Sequence, residues 1–106
     1  MLRLPLRSHR GPLPPADADL LKLAADLRRH VTHLAEEIGE RNVSRRPREL
    51  AQAADAIAAE WSAAGYQVGR QEYEVSGVKC CNLEVEILGR TRPEEIVVVG
   101  AHYDSV

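Results

Sequence analysis

The run Ile96-Val97-Val98-Val99-Gly100-Ala101 limits the fold of this chain more than any other stretch. Four consecutive β-branched residues followed by two small ones read as a strand buried on both faces. Directly behind it come His102, Tyr103, Asp104 and Ser105, just past the carboxyl end of the strand, where open α/β sheets keep their ligand sites. A neutral imidazole is a good zinc donor, and a nearby carboxylate can accept its other N–H, which fixes tautomer and ring angle. His102 and Asp104 are therefore the candidate site residues. The plainer account is a buried polar pair at a strand end, and on this stretch alone it is the commoner case.

The chain before this stretch supplies helices and a hairpin. Residues 1–15 hold Pro5, Gly11, Pro12, Pro14 and Pro15 without a hydrophobic period, so they read as an extended or disordered arm. A helix follows from Asp17 or Asp19, both good N-cap residues, to about Ile38, and Gly39 ends it. Leu20, Ala24, Leu27, Val31, Leu34 and Ile38 form its apolar stripe. Glu36 and Glu37 fall where the helix dipole disfavours negative charge, so something other than the dipole sets that choice. His30 and His33 can share a face, but no third metal donor lies in register, and they read as flanking a core stripe. Arg45, Arg46 and Arg48 form a small basic cluster in the following connection, which reads as a solvated loop.

A second helix covers about Pro47 to Ala64, with Leu50, Ala54, Ile57, Trp61 and Ala64 on one face and Gly65 as its cap. Trp61 is expected to be the largest contributor to its packing. The period then changes to two. Tyr66 and Val68, then Gln71, Tyr73 and Val75, make a strand with a slip at Gly69 that suggests a bulge. Ser76 to Lys79 turn the chain, and Asn82 to Leu88 form the second strand of an antiparallel hairpin. Residues 16–106 thus read as one α/β unit, a mixed sheet flanked by helices, of which two helices, a hairpin and one inner strand are present.

Composition narrows the function classes. The chain has 106 residues and a formal net charge of −2, which sets aside a general nucleic-acid binder. No segment is long and apolar enough to span a bilayer, and the N-terminus lacks the apolar core of a secretory signal, so membrane partners are not expected and the cytoplasm is favoured. Cys80 and Cys81 are adjacent, which on a strand points them to opposite faces; they read as two free thiols of a reducing compartment, the alternative being a soft-metal pair that no other Cys completes.

Taken in order, the residues resemble the front of a zinc exopeptidase of the di-zinc aminopeptidase and glutamate carboxypeptidase type. The resemblance is carried by His30-Val31, Leu34-Ala35 and Ile38-Gly39; by Arg46-Pro47, Ala53-Ala54 and Ile57; by Trp61 to Val68; by Asn82-Leu83-Glu84; and above all by Ile96 to Val106. It implies that His102 ligates one of two zinc ions, and that Asp104 orients it and counts with the active site. It implies a peptide substrate for the longer enzyme, with aminopeptidase the leading direction, and says nothing of oligomeric state. A bridging Asp, a Glu-Glu pair, a further acidic ligand and a final His have no counterparts in 1–106. The fragment alone is expected to be inactive. The alternatives are a non-catalytic truncated domain of the same fold, or a small α/β binding module with no metal.

Overall fold

The computed structural model describes residues 11–106. Helix α1 spans Ala18–Thr32 and runs on into a single π-helical segment, His33–Ile38. Helix α2 spans Pro47–Ala63, and strands β1, Gly69–Val75, and β2, Val78–Glu84, close an antiparallel hairpin. The result is a small mixed α/β fold. The arm expected at residues 1–15 lies outside the described residues up to residue 10, and no regular element forms between residues 11 and 17.

The local signals at helix ends act as their chemistry requires. Asp17 caps α1, its Oδ1 accepting the Leu20 amide at 2.8 Å. Gly39, at φ 75°, ends the helical run in the left-handed region, where a side chain would be strained. The π geometry appears in the bond from the Gly39 amide to the Leu34 carbonyl, five residues back, at 3.2 Å. Glu37 sits in this last turn against the dipole because His33 Nδ1 meets its Oε2 at 2.6 Å, one turn away. Pro47 opens α2, where its missing N–H costs nothing.

The core is small and lies where α2 and the end of the first helical run meet the hairpin. Ile38, Leu50, Ala53, Ala54, Ala58, Cys80 and Cys81 are its buried apolar residues. Alanine, not Trp61, forms most of the buried face of α2. Small side chains let the helix approach β2 closely, and Trp61 stays half-buried beside a cleft. The two free thiols occupy neighbouring positions on β2 and are both buried, so both faces of the strand are covered there.

Four expectations are corrected. The apolar stripe of α1 is not a core: no residue of α1 is buried, and Leu20, Leu27 and Val31 are more than half exposed. The helix touches α2 through a surface ion pair, Arg29 Nη1 to Glu60 Oε1 at 2.7 Å, which brings no apolar surface together. The hairpin turns on Ser76 and Gly77 alone, and β2 starts at Val78, four residues before the expected start at Asn82. Both turn residues have positive φ, 51° and 80°, the pattern of a two-residue loop whose twist matches the strands it joins. The register from Gly69 opposite Glu84 to Val75 opposite Val78 is regular, so Gly69 starts the strand without a bulge, and Tyr66 and Val68 precede it.

The fourth correction concerns the inner strand. Ile96 to Ala101 forms no ladder, and its side chains are among the most exposed of the described residues, from 81% at Ile96 to 92% at Val99. β-Branched composition favours an extended backbone but cannot supply the partner that a strand's N–H and C=O groups need. Among the described residues β1 and β2 pair only with each other.

An exposed, uncharged, β-branched run of this kind is a template for pairing with other chains. The 106-residue chain is expected to self-associate with rising concentration, and Val98→Lys to suppress that association. Light scattering across a concentration series checks it; equal association of both proteins would show that the run is not responsible.

Candidate functional site

Beyond the exposed run the chain comes back onto the fold. An isolated antiparallel bridge joins Ser105 to Arg41, with the Ser105 amide donating to the Arg41 carbonyl at 2.7 Å. The extended backbone alternates its side chains between two sides. Tyr103 and Ser105 are half-buried, while His102 and Asp104 face outward. His102 Nδ1 lies 2.9 Å from Asp104 Oδ1, with the imidazole 93% exposed. An ionised carboxylate only accepts, so Nδ1 is the donor in this contact, which in a neutral ring leaves Nε2 with its lone pair. The sequence-predicted pair is thus brought together, on a solvated surface rather than in a buried strand end.

Three residues that sequence reasoning passed over hold this pair in place. The Arg41 guanidinium donates through Nε to the Tyr103 carbonyl, and through Nη1 to the carbonyls of Leu34 at 2.6 Å and Gly39 at 2.8 Å. It therefore caps the carboxyl end of the helical run, where a cation is favoured, and grips the residue between His102 and Asp104. Asn42 Nδ2 donates to the Ser105 carbonyl at 3.1 Å and to Glu40 Oε1 at 3.0 Å. The Tyr103 hydroxyl donates to the Cys81 carbonyl on β2 and lies 3.8 Å from Cys81 Sγ. Arg41 and Tyr103 are separated by 62 residues, and no spacing rule links them.

Beside the pair opens a cleft of about 970 Å³. Leu50, Ile57 and Trp61 of α2 and Tyr73 and Leu83 of the hairpin give it an apolar wall, and Arg41, His102 and Asp104 stand at a polar margin. Burial pushes the Tyr103 phenol well above its ordinary range, with contacts to Cys81 adding to the effect. Arg70 is held further in its charged form by its hydrogen bond to Asp55 on α2, 2.8 Å away.

The other candidates do not join the site. His33 is engaged with Glu37, and His30 lies 3.4 Å from Arg29 Nη2. Arg45 pairs with Glu40 at 2.7 Å and Arg46 with Glu49 at 3.7 Å, so two arginines of the basic cluster already have carboxylates. His102 with Asp104 fits what a single zinc ligand needs: an exposed nitrogen and a fixed tautomer. A catalytic zinc takes about three protein donors. Among the described residues no three His, Cys, Asp or Glu side chains gather for one ion, so they do not by themselves form such a site. No helix among them is long and apolar enough to cross a membrane.

Compared with protein-family models, curated proteins and solved structures, the chain matches none of them. The meaning of the site therefore rests on its own residues.

The raised Tyr103 phenol has a consequence for stability against pH. Its neutral form is favoured by folding, so that contribution is complete below the ordinary phenol value of about 10 and is lost as pH rises through the higher native value. Absorbance titration should show one tyrosinate of three forming late and together with loss of structure. Tyr103→Phe should remove that component and cost about 1 kcal/mol at neutral pH, the usual worth of one hydrogen bond. Three phenols titrating together in the ordinary range, with structure intact, would contradict this.

Proposed function

We propose that this chain forms the N-terminal part of a zinc-dependent exopeptidase acting on peptide substrates, with aminopeptidase the leading direction. In this reading His102 binds zinc through Nε2, and Asp104 holds the ring by accepting the Nδ1 proton. The observation that carries it is the 2.9 Å contact between those two groups on an imidazole that stays 93% exposed. A histidine kept for packing is buried, whereas a metal donor needs a fixed tautomer and a reachable nitrogen. A zinc ion held there would supply Lewis-acid chemistry, polarising a scissile carbonyl and lowering the pKa of water so that hydroxide is available near neutral pH. The contribution of this chain's residues is orientation: Asp104 sets the imidazole, and the main chain on either side of Asp104 is fixed by Arg41 and Asn42. The reading requires the remaining donors to come from polypeptide other than residues 11–106.

A second reading is favoured by the cleft. Its apolar wall of α2 and hairpin side chains offers a surface for a small apolar ligand, which would make the chain an α/β binding module with no metal. His102 and Asp104 would then be polar groups at the margin.

Zinc titration followed at the ring nitrogens of 15N-labelled His102 separates the two. The first reading expects a zinc-dependent shift at Nε2, with the zinc affinity it reports lowered about 10- to 100-fold by Asp104→Ala, as for other ligand-orienting groups. It also expects the 106-residue chain to release no amino acid from aminoacyl anilides. A His102 ring silent to zinc, or one whose zinc affinity is the same in Asp104→Ala, would leave the binding module. Chelator-sensitive turnover lost in His102→Ala would show that the donor set is larger than one.

A further inference from the structure

We infer that Arg41 is a positioning residue for the His102–Asp104 pair: it ties the main chain of that pair to the carboxyl end of the helical run. The clause that the pair is a metal donor rests on the proposed function; the clamp itself rests on geometry. The Arg41 side chain bonds three carbonyls, those of Leu34, Gly39 and Tyr103, and its own carbonyl takes the Ser105 amide. Asn42 adds the Ser105 carbonyl. The two residues flanking Asp104 are thus held by their backbones, while His102 and Asp104 remain outward and unburied.

The chemistry requires arginine. A guanidinium presents its donors in a rigid planar fork, so one side chain can bond carbonyls of two segments at once in fixed directions. A lysine ammonium is a point charge on a flexible stem and cannot reproduce that set. The preceding run, Ile96 to Val99, makes no ladder and supplies no rigidity of its own. Without Arg41 and Asn42 the pair would be tethered to the fold through Tyr103 alone, behind an exposed, unpaired segment. Tyr103, donating to the Cys81 carbonyl, fixes the same segment to the hairpin from its other side.

The test uses the 15N-labelled 106-residue chain with Arg41→Lys and Asn42→Ala. At about pH 8, above the ordinary imidazole range, His102 in the wild type should show one dominant tautomer, protonated at Nδ1. The Ser105 amide should be protected from exchange. Arg41→Lys should leave the amide signals of α2 and the hairpin in place, speed Ser105 exchange about tenfold, the effect of losing a charge-assisted bond, and return His102 to the mixed tautomers of a free imidazole. Asn42→Ala should act in the same direction, more weakly, and carries the test if Arg41→Lys does not fold. Unchanged His102 tautomer and unchanged Ser105 protection in folded variants would overturn the proposal. Zinc added to the same samples keeps the two ideas apart. A His102 ring silent to zinc in the wild type, with the motif still loosened by Arg41→Lys, would sink the metal reading and support the clamp.

Discussion

A single guanidinium sets how the two ends of this fold meet. Arg41 stands where the helical run stops, and carbonyls there lack amide partners within the helix. The Gly39 carbonyl there accepts Arg41 Nη1, and the Leu34 carbonyl, already bonded by the Gly39 amide in the widened last turn, accepts the same nitrogen. The same side chain then reaches the Tyr103 carbonyl. A local need, the capping of a helix end, is thereby met by a group that also decides where a segment 62 residues away must lie. Because the bonds go to main chain, they constrain position without dictating the outward side chains. His102 and Asp104 are left to whatever chemistry they carry.

The rest of the molecule is unevenly supported. Burial is concentrated where α2 lies on β2, through alanines and two cysteines, and it thins out in both directions from there. α1 has the periodicity of a packed helix and a well-formed cap, yet its apolar stripe meets solvent. The Arg29–Glu60 pair that links it to α2 is exposed at both ends and adds little to stability. The Ile96–Val99 run shares the same condition, with sticky composition and no covering surface. Both stretches are written for contacts that the described residues do not provide.

Legibility in the sequence followed the range of the interaction. Asp17 as cap, Gly39 and Gly65 as helix ends, Pro47 as helix start and the hairpin itself rest on contacts within a few residues, and each was readable. The hairpin turn is less legible, because positive φ at Ser76 is rare for a non-glycine residue, and the structure turns on two residues where the sequence suggests four. The His102–Asp104 contact was readable for the same local reason, an alternating backbone that puts residues two apart on one side.

What the sequence determined by itself was therefore the set of local elements, the hairpin and the juxtaposition of an imidazole with a carboxylate. Tertiary structure alone decided that the β-branched run stays unpaired, that alanines rather than Trp61 form the buried face of α2, and that Arg41, Asn42 and Tyr103 hold the segment carrying the pair. The reason is physical: periodicity and cap chemistry state which surface an element can bury or which bond it can make. Whether a partner stands opposite depends on groups far away in the chain, and no local rule contains them.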